Sequence, residues 1–320
     1  MSPSVSFAPM EGITTRVLRS VHYRLYPSDI DRYYTPFIYV HAGRAFKKRD
    51  LRDLTDPVND AMKELIIPQI MASHADEIIW AVRELSARGF REINLNLGCP
   101  SATVVKKGHG AALLAEPDAL ERLLDSIFGD AAFEDAGVRL SVKTRLGMQD
   151  PEEFKRILPV LDRSGVSGII LHPRTQQEKY AGRPHRDYVR WALENTGKPV
   201  CYNGDLFAPQ DAEALLEELP GLSGLMLGRG LLSDPALAGR IKGKREGEDA
   251  LFWEWIAALE TEYDRFLDER QLLFKLKDLW NFACLRFAGD PDAESCIHRI
   301  RIAKNLADYR NALYRLKAGR

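Results

Sequence analysis

The stretch EINLNLGCPS, residues 92–101, ends a short apolar strand with a carboxamide, Asn96, three residues before a thiol, Cys99. Gly98 and Pro100 flank this thiol, so the backbone is expected to turn tightly there and to hold the side chain in place. In enzymes built on strand–helix barrels, residues at such strand ends carry out the chemistry. At this position Cys99 could serve as a nucleophile, an acid, a metal ligand or a packing residue.

Seven other short segments share this form, each apolar and each ending in a polar or glycine-containing sequence. The eight predicted strands cover residues 4–9, 33–39, 66–71, 92–97, 139–146, 168–174, 199–205 and 224–230. Most are rich in Ile, Val and Leu, as is typical of parallel strands buried on both faces.

Stretches with helical spacing lie between these strands, for example Ile78, Val82 and Leu85. Eight strand–helix repeats predict an α/β fold, a closed (β/α)8 TIM barrel. The alternative is an open doubly wound sheet, but no GxGxxG sequence follows the first strand. The basic stretch 44–52 after the second strand is predicted to be a loop rather than a helix.

The pattern changes after Gly247. Residues 251–317 show no strand alternation, contain few glycines and place apolar residues such as Phe252, Ile256 and Leu259 at helical spacing. We therefore expect a catalytic barrel over residues 1–245, followed by a small all-α helical bundle over residues 246–320.

Composition limits the class of protein. The chain has 320 residues, of which 45% are hydrophobic and 28% are charged, enough to bury a full core. No apolar run is long enough to span a membrane, and no leader sequence is recognisable at the N-terminus. The four cysteines lie far apart without a CxxC pair, which favours a reducing compartment. We expect a cytoplasmic protein with no membrane association, and the spacing of the histidines predicts no metal site.

The formal net charge of -1 conceals an uneven distribution. Basic residues concentrate at 44–52, 106–107, 242–245 and 299–320, whereas acidic residues concentrate at 260–269. Each basic cluster alone could be a solvated helix face. Several on a nearly neutral protein favour a polyanionic partner bound through its phosphates.

The ends of the predicted strands should meet at one mouth of the barrel. Several residues at these ends could hold a flat ring carrying a phosphate arm, namely Pro9, Met10, Glu11, Gln69, Lys143, His172, Asn203, Gly204, Asp205, Gly228 and Arg229. An amide, a lysine and glycines beside an arginine on successive strands fit flavin mononucleotide (FMN) better than a metal or a sugar phosphate. Taken singly, Lys143 could be a solvated strand end, His172 a rim histidine and Asn203 part of a turn.

The motifs that follow the predicted strands also resemble those of a known family, the tRNA-dihydrouridine synthases. The residues that carry the resemblance are Ala8-Pro9-Met10-Glu11-Gly12, Pro68-Gln69, Asn96-Leu97-Gly98-Cys99-Pro100-Ser101, Lys106-Lys107-Gly108, Gly110-Ala111-Ala112-Leu113-Leu114, Val142-Lys143-Thr144-Arg145-Leu146-Gly147, His172-Pro173-Arg174-Thr175, Asn203-Gly204-Asp205 and Gly228-Arg229-Gly230. Bacterial members that reduce one D-loop uridine and carry a C-terminal helical RNA-binding domain are the most similar type, on Lys275, Lys277 and Trp280. Four residues depart from the family pattern: Tyr39, Asn94, His109 and Pro173.

The resemblance implies a reaction, an oxidoreduction of a CH–CH group with NAD(P)H as donor. NADPH, acting transiently, reduces a tightly bound FMN, and a specific uridine in tRNA becomes 5,6-dihydrouridine. Hydride passes from FMN N5 to uracil C6, and Cys99 donates a proton to C5.

The resemblance also implies roles for individual residues. Gln69 and Lys143 hold the isoalloxazine ring, and the residues at the last two strand ends hold the ribityl phosphate. For the substrate, Asn96 is expected to hold the uracil edge, Tyr180 to line the substrate pocket and Arg174 to contact the tRNA backbone. Tyr39, Lys275 and Lys277 are further expected tRNA contacts. The protein is expected to act as a monomer without an obligate protein partner.

Three other functions fit part of the pattern. An FMN-dependent reductase of free pyrimidines or enones would need no basic helical domain. A non-catalytic tRNA-binding barrel would not need Cys99, Gln69 and Lys143 together. A sugar-phosphate lyase on a barrel would bind no flavin.

Overall fold

The computed structural model describes residues 3–40, 43–247 and 250–319. Ten strands pair in parallel: β1 Val5–Phe7, β2 Arg32–Tyr34, β3 Ile38–Tyr39, β4 Ile66–Ile67, β5 Gln69–Met71, β6 Glu92–Leu97, β7 Arg139–Arg145, β8 Ile169–His172, β9 Val200–Tyr202 and β10 Gly224–Leu227. These are the eight predicted strands, two of which are each divided into halves. β2 and β3 are the halves of one, and β4 and β5 are the halves of the next.

The strands form a closed barrel. Their order is β3-β5-β6-β7-β8-β9-β10-β1-β2-β4. β2 pairs with β4, with Tyr33 opposite Ile66, and β3 pairs with β5, with Ile38 opposite Ile70. Because the end strands of the order are halves of neighbouring strands, the sheet closes on itself. The predicted (β/α)8 barrel is confirmed.

Prolines interrupt the two divided strands. Pro36 lies between β2 and β3, and Pro68 lies between β4 and β5. Proline has no N–H to donate to the ladder, so each strand resumes after the break.

Helices surround the barrel and follow it. They are α1 Arg16–Leu25, α2 Lys48–Thr55, α3 Ala75–Ala87, α4 Ala102–Val105, α5 Pro117–Phe128, α6 Ala131–Ala136, α7 Phe154–Arg163, α8 Arg186–Asn195, α9 Pro209–Glu218, α10 Arg229–Ser233, α11 Leu237–Ile241, α12 Phe252–Asp264, α13 Glu269–Ala283, α14 Pro291–Ile302 and α15 Leu306–Ala318. Short 3₁₀ helices cover Pro57–Leu65, Gly110–Leu114, Pro151–Glu153 and Cys284–Phe287. On α3, the predicted apolar residues Ile78, Val82 and Leu85 are all buried against the barrel.

The prediction of a loop over residues 44–52 is wrong in its second half, because α2 begins at Lys48. Leu54 buries its side chain in the core. The carboxylate of Asp53 accepts a hydrogen bond from the backbone nitrogen of Arg16 at 2.7 Å and from Nη1 of the buried Arg19 at 2.8 Å. The buried side chain of Leu54 and the ion pair of Asp53 with Arg19 therefore hold this segment as a helix, although its many charged residues suggested a loop.

The last four helices, α12–α15, pack around two buried tryptophans, Trp255 and Trp280. Trp280 Nε1 donates to the hydroxyl of Tyr309 at 3.0 Å. One continuous apolar core joins these helices to the barrel, and the hydroxyls of Tyr263 and Thr15 hydrogen bond across the junction at 3.1 Å. The division into domains at residues 245 and 246 stays a prediction. Within the described ranges, no helix is both long and apolar enough to cross a bilayer.

The Arg19–Asp53 ion pair should contribute measurably to stability. Asp53→Ala leaves the buried Arg19 guanidinium without its counter-charge, and the free energy of unfolding should fall by about 3 kcal/mol, as expected when one partner of a buried pair is removed. Denaturant unfolding measures the loss. The matched control is Asp60→Ala, an exposed carboxylate in the same segment, and an equal loss in both variants would contradict the role of the ion pair.

Candidate active site at the carboxyl end of the barrel

A chain of buried amides leads across the barrel wall to the Cys99 turn. Asn94 donates to Ser141 Oγ at 2.9 Å, and Gln69 Nε2 donates to Asn94 Oδ1 at 2.7 Å. Asn96 Nδ2 donates to Gln69 Oε1 at 2.8 Å. Asn96 Oδ1 then accepts from two successive backbone N–H groups of the turn, at 3.0 and 2.9 Å. Asn94, which departs from the family pattern, donates to Ser141, a bond that an aspartate could make only as the acceptor.

Gln69 and Asn96 therefore support the turn. Gln69 has no exposed surface and Asn96 is 6% exposed. After the bonds above, each amide keeps one N–H for another partner. The contacts predicted for Gln69 with a flavin ring and for Asn96 with uracil stay predictions, and each requires these side chains to become more accessible.

Two further side chains hold the Cys99 turn. Arg145, the last residue of β7, donates through Nε to the carbonyl of Gly98 at 2.8 Å. Its Nη1 reaches the carbonyls of Thr175 and Lys179, both at 2.9 Å. Gln176 Nε2 donates to the carbonyl of Pro100 at 2.9 Å.

Sequence reasoning assigned no role to Arg145 or Gln176. Arg145 lies two residues after Lys143 on the same strand, so the two side chains share a face of the sheet. This spacing of two residues could have indicated that Arg145, like Lys143, points toward the site. Gln176 lies in a loop, where no periodicity fixes the direction of a side chain.

The thiol in this turn is half-buried and stays protonated at neutral pH. Burial raises the pKa of Cys99 above its ordinary value. A hydrogen bond from the Ser101 backbone and the positive charges of Arg145 and Lys143 lower this pKa in part, without outweighing burial. A protonated thiol is suited to proton donation rather than to nucleophilic attack.

Within the described ranges, the Lys143 amine and Nε2 of His172 lack hydrogen-bond partners. Lys143 makes no hydrogen bond or ion pair with the part of the chain that the structure describes, and burial together with Arg145 lowers its pKa to about 7. His172 Nδ1 donates to the carbonyl of Asn203 at 2.7 Å, which leaves Nε2 buried and unpaired. Burial holds the pKa of His172 well below its ordinary value, so Nε2 is a hydrogen-bond acceptor.

An acidic residue between two arginines lies on the opposite side of the mouth. Asp205 accepts from Arg174 Nη2 at 2.6 Å and from Arg229 Nη2 at 2.5 Å. Burial alone would raise the pKa of Asp205, but the bonds and charges of the two arginines outweigh it and lower the pKa.

The predicted contact between Arg174 and tRNA phosphate stays a prediction. The side chain of Arg174 has no exposed surface, and besides Asp205 it donates to the carbonyls of Ala181 and Gly182, at 3.0 and 2.7 Å. A phosphate could meet this guanidinium only if the side chain became accessible. Arg174 fixes Asp205 and the loop after β8.

A cavity of about 60 Å³ joins these groups and is lined by most of the predicted cofactor residues: Pro9, Met10, Lys143, His172, Asn203, Gly204, Asp205, Gly228 and Arg229. The ring of Tyr180, which is 53% exposed, closes over it. Tyr180 lies 4.6 Å from the Arg229 guanidinium and makes an edge contact with His172 at 6.0 Å. A larger ligand could enter only after Tyr180 turns away.

The chemistry of this cavity fits the flavin phosphate that the resemblance implies. The Lys143 amine and His172 Nε2 offer an unpaired cation and an unpaired acceptor. Gly228 and Gly204 also line the cavity and leave their backbone uncovered by a side chain.

A protein-family model, "Dihydrouridine synthase (Dus)", matches residues 6–281. The chain belongs to the dihydrouridine synthase family.

Two curated proteins show the extent of this family relationship. The tRNA-dihydrouridine(16) synthase of Neisseria meningitidis serogroup B is 27% identical over 97% of this chain and 93% of its own length. The tRNA-dihydrouridine(16) synthase of Aquipseudomonas alcaligenes is 31% identical over 78% of this chain and 79% of its own length. Among solved structures, morphinone reductase in complex with tetrahydroNAD matches with a TM-score of 0.54 at 11% identity, over 80% of this chain and 90% of that one. The last similarity concerns the barrel fold alone.

In this member of the dihydrouridine synthase family, a much larger groove lies between the barrel mouth and the helical region, with a volume of about 950 Å³. Its lining contains six basic residues, four acidic residues and several aromatic rings: Arg16, Lys48, Arg49, Arg52, Arg270 and Lys275; Glu11, Asp50, Asp53 and Asp268; and Phe37, Tyr263, Phe266 and Phe274. Phe274 is 72% exposed and Phe266 is 45% exposed. We call this cavity the interdomain groove.

The remaining predicted residues fall at different places. Glu11 and Lys275 line the interdomain groove, and Lys275 also donates to the carbonyl of Gly12. Lys277 instead donates to the carbonyl of Ala303 at 2.9 Å, within the helical region. Tyr39 lines a third cavity beside the Cys99 turn.

The clamp by Arg145 should control access to the Cys99 thiol. Lysine cannot reach three carbonyls at once, so Arg145→Lys should loosen the turn and raise the rate of Cys99 alkylation roughly tenfold, equivalent to losing about one charge-assisted hydrogen bond. Mass spectrometry at Cys99 measures the rate. The control is Arg139→Lys, at the exposed start of the same strand. Equal rates in the two variants would show that the clamp does not hold the turn.

Proposed function

We propose that this chain reduces a uridine in tRNA to 5,6-dihydrouridine, with FMN as bound cofactor and NADPH as reductant. The position we propose is 16, the number in the names of the Neisseria and Aquipseudomonas relatives. The observation that carries the proposal is the Cys99 turn. It presents a protonated thiol in a turn that hydrogen bonds with three side chains, at the mouth where Lys143 has no partner among the described residues.

Cofactor binding is assigned to the cavity beside this turn. Lys143 would face the negative charge of the cofactor, His172 Nε2 would accept a hydrogen bond, and Arg229 would lie beside the phosphate arm. When bound and reduced, the flavin supplies a hydride to C6 of uracil. Tyr180 must leave its position over Arg229 for this site to fill, and its ring is then free to line the substrate pocket.

Cys99 completes the reduction as a general acid. Its thiol gives a proton to C5, so the C5–C6 double bond gains one hydride and one proton, and solvent water returns a proton to the thiolate. Burial favours the thiol over the thiolate before the reaction. Arg145 donates to the turn and Asn96 accepts from it, and these hydrogen bonds hold the thiol in position during the transfer.

The interdomain groove supports RNA as the substrate. It combines cationic side chains with exposed rings, the two groups on which single-stranded nucleic acids bind, phosphates on the first and bases on the second. A target base must leave its stack to reach the barrel mouth, at a cost of a few kcal/mol that phosphate contacts along the groove would offset. Its 950 Å³ volume exceeds the need of a free pyrimidine, which argues against a reductase of free pyrimidines.

The role of Cys99 is tested by Cys99→Ala. General acid catalysis contributes about 10²–10⁴ in rate, so uridine reduction should fall at least about 100-fold in single-turnover assays. Flavin reduction by NADPH, followed by the loss of flavin absorbance, should continue because it does not involve the thiol. Cys296→Ala, a second free cysteine on α14, is the control. Unchanged uridine reduction in Cys99→Ala would reject the proton-donor role.

The role of Lys143 is tested by proton uptake. Its pKa of about 7 leaves most of the amine neutral at pH 8.5. An anionic cofactor raises this pKa, so binding of FMN to the apoprotein at pH 8.5 should take up nearly one proton per cofactor. Calorimetry in buffers of different ionisation enthalpy measures the uptake.

Lys143→Met should bind FMN more weakly and without this proton uptake. Lys155→Met, at an exposed lysine on α7, should behave as the unmodified protein does. Binding without proton uptake in the unmodified protein would place Lys143 outside the cofactor site.

A further inference from the structure

A third cavity, of about 340 Å³, lies beside the Cys99 turn and takes no part in the reaction above. We call it the Glu77 cavity. The residues of its lining that matter for binding are Tyr39, Lys47, His74, Glu77, Lys107 and His109. Its volume falls at the lower end of the range for small-molecule sites.

Two buried polar atoms in this lining lack partners. Glu77, in the first turn of α3, is 8% exposed, and its Oε2 accepts no hydrogen bond from any residue in the described ranges. Nδ1 of His109 is likewise unpaired there. Buried polar atoms in folded proteins nearly always have a partner. A buried carboxylate oxygen that faces a cavity therefore points to a ligand with N–H or O–H donors.

The other groups narrow the chemistry of that ligand. The rings of Tyr39 and His109 meet edge to face at 5.9 Å and provide an aromatic wall. The exposed Lys47 and Lys107 place positive charge at the entrance. A ligand with a donor edge, a flat ring and a phosphate matches all three features.

Other ligand classes match less well. A free phosphate would lie against the Glu77 carboxylate, which repels it. Among the described residues, no three His, Cys, Asp or Glu side chains are placed to hold a metal ion. Among the nucleobases, guanine alone presents two neighbouring donors, N1–H and the N2 amino group, that a carboxylate can accept together.

The Glu77 cavity adjoins the reacting thiol. The residue after His109 is Gly110, where an added Cβ would lie 3.0 Å from Cys99 Cβ. The backbone nitrogen of the next residue, Ala111, donates to the carbonyl of Cys99 at 3.3 Å. A base in this cavity would therefore belong to a nucleotide close in sequence to the one above Cys99. Base-modifying enzymes commonly choose their substrates through such flanking nucleotides.

We propose that the Glu77 cavity binds the guanine of a nucleotide next to the target uridine, with the Glu77 carboxylate accepting from N1–H and the N2 amino group. The ring packs against Tyr39 and His109, and the phosphate lies near Lys47 and Lys107. The inference rests on the proposed function for the identity of the RNA. The cavity would thus set the sequence context in which a uridine is reduced.

Binding of mononucleotides tests the cavity without any turnover. Guanosine 5′-monophosphate should bind the full-length protein roughly tenfold more tightly than inosine 5′-monophosphate, which lacks the N2 amino group, as a lost bidentate contact implies. Saturation-transfer NMR measures both affinities. Equal affinities would overturn the proposal. Displacement of the guanine nucleotide by adenosine 2′,5′-bisphosphate, which mimics part of NADPH, would also overturn it and assign the cavity to the reductant.

Glu77→Gln should abolish the preference for guanosine over inosine monophosphate, because an amide cannot accept from both donors. Glu84→Gln on the same helix should retain it. A double variant, Lys47→Ala with Lys107→Ala, should bind guanosine 5′-monophosphate more weakly but bind guanosine with unchanged affinity. This variant tests the site even if Glu77→Gln fails to fold. Retention of the preference in Glu77→Gln, or equal weakening of nucleotide and nucleoside in the double variant, would overturn the assignment.

Transcripts of tRNA connect the cavity to the reaction. Replacing the guanosines that flank the reduced uridine by inosine, one at a time, should lower kcat/KM roughly tenfold at one position for the unmodified protein, and not for Glu77→Gln. No effect at any flanking position would overturn the inference. Nucleotide binding without uridine reduction would leave the guanine site standing and reject the proposed function instead.

Discussion

The hydrogen bonds that hold the Cys99 turn are the constraint on which the site depends. Asn96 fixes two backbone N–H groups, and Arg145 and Gln176 fix two carbonyls. The first contact comes from the strand that precedes the turn, and the others come from β7 and from the loop after β8. The position of one thiol therefore depends on three separate parts of the barrel, and an error in the register of any of them would displace it.

Electrostatics at the mouth follow from an imbalance of charge. Asp205 pairs with both Arg174 and Arg229 and balances only one of their two positive charges, while Lys143 and Arg145 have no acidic partner in the described parts of the chain. Burial of positive charge without a counter-ion is costly unless a ligand supplies the negative charge. The excess of positive charge at the mouth therefore favours an anionic ligand. The glycines and the lysine at the strand ends predict the same kind of ligand, one with a phosphate arm.

Much of the fold was predictable because buried parallel strands are short, continuous apolar segments. The eight strands lie in the predicted order, and the helical region begins where the alternation ends. The division of two strands at Pro36 and Pro68 was missed, although both prolines are visible, because hydrophobic periodicity alone does not register a missing donor. Helix α2 was missed because its ion pair with α1 joins residues that are 34 positions apart.

The sequence predicted which residues lie at the site better than it predicted where their side chains point. The residues around the small cavity were identified from the strand ends, since a barrel brings those ends together whatever its loops do. The resemblance assigned Arg174 to the tRNA backbone, whereas in the structure its side chain is buried and pairs with Asp205 at the next strand end. Asp205 pairs with both Arg174 and Arg229, and the sequence does not indicate that Arg174 is the more deeply buried of the two.

The continuous core between barrel and helices has a mechanical consequence. Because apolar side chains of the two parts pack in one core, the parts should melt together, and moving them apart would expose apolar surface to water. The apolar contact between barrel and helices therefore opposes a hinge movement that would widen the interdomain groove.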